Sequence, residues 1–140
     1  MDKIINQIVA KAKKDPAVLA IAFFGSYAWK EKYNDIDICI FLFPKEYSAK
    51  ELSKKKMKFI PENEKYDVHI FQQLPLYIQE RILQEGKIIY CKEENALYDL
   101  YFSTQRELEH FRPMYESYLK AVAHGWEEAF VINRLTVQLR

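Results

Sequence analysis

Two short apolar runs constrain this chain more than any other feature. Val18–Phe24 is continuously apolar between Pro16 and Gly25, and Ile36–Phe43 is apolar except for Asp37 and stops at Pro44. Runs this short, with no polar alternation, predict strands buried on both faces. Ile4, Ile5, Ile8, Val9 and Ala12 fall on one face of a helix over Asp2–Lys14, closed by Asp15-Pro16. Ser48–Met57 reads as a helix with Ser48 as N-cap and Glu51 completing a capping box. Pro61–Lys65 is a loop. Tyr66–Phe71 alternates as a third strand, with Asp67 and His69 on one face and Val68 and Ile70 on the other.

Leu74–Glu85 predicts a helix with Pro75 in its first turn and Gly86 as its stop. Ile88–Cys91 is a short fourth strand. One long helical pattern runs over Glu93–His124, and Pro113 should kink or break it. Beyond Gly125, Trp126, Phe130, Val131, Leu135 and Leu139 form a further apolar stripe, suited to packing back or to a partner surface. The element order is α/β or α+β with one small sheet. A length of 140 residues fits one domain, organised as a core over 1–92 and a helical extension over 93–140 that either joins the core or docks a partner.

Composition narrows the function. The charges nearly cancel, 21 basic against 20 acidic, which argues against a strongly basic nucleic-acid sleeve. There are three glycines, where average usage of about 7% would give about ten. Neither a dinucleotide-binding glycine turn nor a glycine-rich phosphate loop can be written with them, so a phosphate site must manage with one. Cys39 and Cys91 lie in apolar runs without metal-binding spacing and read as reduced thiols. The N-terminus has no apolar signal region and no run approaches a membrane span. The expectation is a soluble, cytoplasmic protein that binds neither membrane nor nucleic acid directly.

The polar residues that break the apolar strands carry the chemistry. Asp35 and Asp37, two apart in an extended segment, project from one face. Two anions on a buried strand are costly unless a cation joins them, and a hard divalent ion with oxygen ligands is the natural partner. Asp67 on the third strand would complete a two-metal arrangement. Gly25 at a strand end lets backbone approach an anion, and Ser26 offers a hydroxyl and N–H groups to phosphate oxygens.

Gly25-Ser26 followed by Asp35-x-Asp37 entering an apolar strand, with Asp67 in Tyr66-Asp67-Val68-His69-Ile70, resembles the DNA polymerase β-type nucleotidyltransferase superfamily. The pattern is most similar to its minimal nucleotidyltransferase (MNT) group, small prokaryotic proteins often paired with a HEPN-domain partner. The resemblance implies a mixed sheet flanked by helices, like the polymerase β palm. It also implies ATP and Mg²⁺ as cofactors and transfer of AMP to an acceptor hydroxyl. In HEPN–MNT toxin–antitoxin pairs the MNT protein is the antitoxin and can adenylylate a tyrosine of the HEPN ribonuclease.

Carried over by position, Asp35 and Asp37 would bind both metal ions, and Asp67 the ion nearer the acceptor. Gly25 and Ser26 would hold the β- and γ-phosphates of ATP. Two departures stand out. Tyr27–Asn34 is shorter than the spacer common in the family, and Trp29-Lys30 stands where Arg-Gly is common. A binding-only antitoxin of the same fold and a small-molecule nucleotidyltransferase are the alternatives. Self-association stays open.

His69 shares a face with Asp67 and reads as a polar residue at the cleft edge or as a contact to acceptor or metal. Arg81 is either a surface ion pair or a phosphate contact. Lys54-Lys55-Lys56-x-Lys58 reads first as a solvated helix face, with an approach to RNA or an acidic partner as the alternative.

Overall fold

The computed structural model describes residues 3–25 and 36–124. Its elements run α1 (Lys3–Lys14), β1 (Val18–Phe24), β2 (Ile36–Leu42), α2 (Ala49–Phe59), β3 (Tyr66–Ile70), a 3₁₀ turn (Phe71–Gln73), α3 (Leu76–Glu85), β4 (Lys87–Cys91) and α4 (Glu94–His124). The four strands form one mixed sheet in the order β3-β2-β1-β4. β1 is antiparallel to both β2 and β4, whereas β2 and β3 are parallel. The fold is α+β, as the order of apolar runs implied.

The two apolar runs become the central strands, covered on both faces except at Phe24 and Asp37. Leu19, Ile21, Ile38, Ile40 and Phe41 are fully buried. Alternation then separates two cores. Ile5, Ile8 and Ala12 of α1 and Phe59 of α2 pack with Val18, Ile21, Ile38, Ile40, Val68 and Ile70. On the opposite face, Leu19, Ala22, Cys39 and Phe41 pack with Phe71, Ile82 of α3 and Leu100 of α4. Asp37 shares the second face with Cys39 and Phe41, since residues two apart in a strand point the same way.

Local signals mark the boundaries. Ser48 caps α2: the Glu51 N–H donates to Ser48 Oγ at 3.1 Å, and the Ser48 N–H donates to Glu51 Oε1 at 3.5 Å. α2 runs on to Phe59, beyond the expected end at Met57, because Phe59 buries itself completely in the first core. Pro75 caps α3 rather than entering it, and Gly86 ends it by donating its N–H to the Ile82 carbonyl at 2.8 Å. Phe71 leaves β3 for the 3₁₀ turn and stacks on Phe41 at 4.7 Å. Cys39 and Cys91 are free thiols.

Pro113 is expected to kink or break the long helix, and α4 is unbroken. It is one helix of 31 residues with Pro113 inside it, so the proline does not break it. A proline takes only its own N–H out of the ladder and clashes with one preceding carbonyl. Strong helix formers on both sides (Glu107, Leu108 and Glu109, then Met114 and Glu116) keep the remaining bonds. The chain comprises two compact units, Met1–Thr104 and Gln105–Arg140. The apolar stripe beyond Gly125 lies outside the described residues. Among the described residues, no helix is long and apolar enough to cross a membrane.

Candidate active site

The polar residues of the sheet gather where β1 ends and β2 and β3 begin. Parallel pairing sets Asp37 opposite Asp67 and Cys39 opposite His69, so all four project from the α3 face. Antiparallel pairing sets Phe24 opposite Asp37 on the other side. Three elements therefore deliver Phe24-Gly25, Asp37 and the Asp67/His69 pair to one corner. The Ile36 N–H donates to the Lys65 carbonyl at 2.7 Å and pins the starts of β2 and β3 together.

At that corner His69 Nε2 lies 3.0 Å from Asp67 Oδ2 and 3.8 Å from Asp37 Oδ1. One ligand atom from each of Asp37, Asp67 and His69 falls within 4.8 Å of the others. The His69 and Phe24 rings meet in a T-shaped contact, with centroids 5.4 Å apart and an interplanar angle of 68°. Asp37 and His69 are half-buried, while Asp67 is exposed. Two carboxylates side by side on paired strands repel one another unless something positive joins them. Two carboxylates and an imidazole converging in this way fit a divalent cation.

Gly25 closes the corner. It has a positive φ of 72°, which disfavours any residue with a side chain. A Cβ built on it would lie 2.5 Å from Asp37 Oδ2, so the Asp37 carboxylate occupies the space that a side chain would need. Beside it Phe24, Gly25, Ile78, Arg81, Ile82 and Gly86 line a small cavity of about 110 Å³. Arg81 at its mouth pairs with Glu85 at 3.0 Å, one turn along α3. The surface ion pair expected for Arg81 is present, and it borders the corner.

Of the expected site residues, the structure brings together Gly25, Asp37 and Asp67. Ser26 and Asp35 lie outside the described residues, as does the spacer Tyr27–Asn34. His69 belongs to the cluster more closely than its sequence context alone suggested. Its spacing of two from Asp67 was the available signal.

The lysine run of α2 has a second role. Asp15, 2% exposed, accepts from Lys55 Nζ at 2.6 Å and from Lys58 Nζ at 3.1 Å. Burial alone would raise the Asp15 carboxyl, but the bonds from Lys55, the Ala17 N–H and Lys58 outweigh it and bring the pKa down to about 2. The Lys92 ammonium donates to the Asp15 carbonyl. This cluster lies at the start of β1, the opposite end of the strand from Gly25. Sequence reading took Asp15 only as a helix stop.

Residues 6–95 match the family described as Polymerase beta, Nucleotidyltransferase. The chain belongs to that family. The matched segment contains every element of the sheet and the whole of the corner at Gly25. Another nucleotidyltransferase-related protein, the candidate protein adenylyltransferase MJ1547 of Methanocaldococcus jannaschii, is 37% identical over 78 residues. That match covers 54% of this chain and spans 58% of the archaeal protein, less than two-thirds of its length.

Solved structures show the same fold at low sequence identity. A mutant MntA–HpeT toxin–antitoxin structure superposes with a TM-score of 0.64 at 15% identity, covering 84% of this chain and 97% of that one. A toxin–antitoxin structure with AMP-PNP gives a TM-score of 0.63 at 16% identity, covering 86% and 96%. The complex of a tri-AMPylated Shewanella oneidensis HEPN toxin with an MNT antitoxin gives 0.59 at 16% identity, covering 85% and 92%. This chain thus shares its fold with a chain in each of those structures.

Proposed function

We propose that this nucleotidyltransferase-family chain is a minimal adenylyltransferase that transfers AMP from ATP to a hydroxyl of a HEPN-domain partner and serves as that partner's antitoxin. The observation that carries the reading is the pairing of Asp37 with Asp67 across β2 and β3, with Gly25 set against the Asp37 carboxylate at the same corner of the sheet. The family supports nucleotidyl transfer, and the AMPylated toxin among the structural relatives supports a protein acceptor.

In the proposed reaction the acceptor oxygen bonds to the α-phosphorus as the bond to the bridging β-phosphate oxygen breaks, releasing pyrophosphate. Asp35, Asp37 and Asp67 would hold Mg²⁺. Bound there, the ions would offset charge on the triphosphate and favour the deprotonated acceptor. Gly25 and Ser26 would take the β- and γ-phosphates through their N–H groups and the Ser26 hydroxyl. Asp67, the more exposed carboxylate, faces the acceptor and receives its proton. The helical extension over 93–140, apart from α4 residues such as Leu100 that pack with the core, would dock the partner.

The test is direct. The purified chain is incubated with ATP labelled at the α-phosphate, Mg²⁺ and the product of the neighbouring gene. Label on that protein, lost in Asp37→Ala and Asp67→Ala variants that remain folded, is the expected result. Transfer that persists in both variants overturns the mechanism. Tight partner binding with no transfer would establish neutralisation by contact instead.

A further inference from the structure

We propose that His69 is itself a ligand of the metal site and turns its preference from Mg²⁺ toward Mn²⁺. The inference rests on the reading of Asp37 and Asp67 as metal-holding carboxylates, and it concerns what a third donor of different chemistry does to that site.

Sheet pairing by itself sets His69 opposite Cys39, one step further into the sheet than the Asp37–Asp67 pair. The imidazole nevertheless reaches back along β3, so that Nε2 lies 3.0 Å from Asp67 Oδ2 and 3.8 Å from Asp37 Oδ1. Phe24, from the strand on the other side of β2, packs against the ring in a T-shaped contact. That contact restricts the ring and favours the orientation that presents Nε2 to the carboxylates.

Ligands about 2.1 Å from a small divalent ion are about 3 Å apart when adjacent and about 4 Å apart when opposite. The two separations from His69 Nε2, 3.0 Å to Asp67 and 3.8 Å to Asp37, fall in that range, and all three ligand atoms lie within 4.8 Å, so small side-chain rotations bring them onto one ion. One nitrogen and two oxygens can therefore face a single ion without rearrangement of the strands.

The donor type sets the preference. Mg²⁺ keeps oxygen ligands and gives up its waters reluctantly, whereas imidazole nitrogen suits first-row transition ions. Mn²⁺ shares the preference of Mg²⁺ for carboxylate oxygen but belongs to the first-row series that also binds nitrogen, so adding an imidazole to two carboxylates gains more with Mn²⁺ than with Mg²⁺. His69 would thus act on which ion is held, while the carboxylates supply the charge that holds it.

The test uses the full chain with Mn²⁺ alone, followed by electron paramagnetic resonance, with Mg²⁺ as competitor and circular dichroism as the check on folding. The expected result is ¹⁴N coupling to bound Mn²⁺ in the wild type and its loss in His69→Ala. Mn²⁺ affinity should fall at least about tenfold in that variant, while Mg²⁺ affinity changes less than about twofold. Bound Mn²⁺ that depends on Asp37 but shows no nitrogen coupling in the wild type overturns the proposal and leaves the function above intact. That result would make His69 a hydrogen-bonding neighbour of Asp67. AMP transfer measured in parallel separates the two readings, since nitrogen coupling without transfer under any ion would retain the ligand and overturn the enzyme.

Discussion

The Asp37 carboxylate fills the space that a side chain at residue 25 would need. A Cβ on Gly25 would lie 2.5 Å from Asp37 Oδ2, and the backbone there has a φ of 72°. Two separate requirements thus fall on one glycine of the three in the chain. The left-handed backbone turns the chain out of β1, and the missing side chain lets Asp37 stand against it.

Gly25→Ala should therefore cost stability twice, through backbone strain of about 1–2 kcal/mol and through displacement of the Asp37 carboxylate. In a double-mutant cycle with Asp37→Ala, the contact part should disappear and the backbone part remain. Urea denaturation of the four proteins measures this coupling. Strict additivity would show that the two residues do not contend for the same space.

Asp37→Asn and Asp67→Asn should each lower AMP transfer at least about 100-fold. In metal-free buffer neither should lower the melting temperature much, because relief of repulsion between two neighbouring like charges offsets the weakened contact to His69. Labelled-ATP assays and thermal melts of the same preparations check both statements. A large loss of stability would assign the carboxylates to the structure instead.

Asp15 sets the acid limit of the fold. Its pKa is about 2 in the native protein, against an ordinary value of 3.8. A depressed carboxyl adds stability that is fully present above the unfolded pKa and fades as pH falls toward the folded one. Asp15→Asn should lower unfolding free energy at pH 7 by on the order of 2 kcal/mol. The gap from wild type should close between about pH 4 and pH 2. Denaturation curves across that range provide the measurement, and a gap independent of pH would contradict the ion-pair account.

Pro113 lies inside α4 at the cost of one hydrogen bond. Pro113→Ala should strengthen the helix locally by up to about 3 kcal/mol and slow amide exchange in the turns on either side. Hydrogen-exchange mass spectrometry of peptides spanning 106–120 reads this. Unchanged protection would show that the helix accommodates Pro113 without local cost.

Much of the fold is legible in order of residues because the determining interactions are local or periodic. Val18–Phe24 and Ile36–Leu42 could bury both faces only as central strands. The Ser48–Glu51 capping box fixed the start of α2, since both of its bonds close within four residues. Phe59, by contrast, extends α2 past its expected end through a contact with the core. The Lys55 and Lys58 ammonium groups meet Asp15 from 40 or more residues away, beyond any local pattern.

The sequence by itself determined the strands, their faces and the supply of candidate groups: Gly25, Asp37, Asp67 and, by its spacing of two, His69. Side-chain alternation along a strand is a property of the backbone and needs no partner. The tertiary structure alone decided that β2 and β3 run parallel and in the register Asp37 to Asp67. A shift of one residue would have sent one aspartate to the opposite core. It also decided that the His69 ring leans back to both carboxylates, since Phe24 and the two aspartates reach it from three different strands.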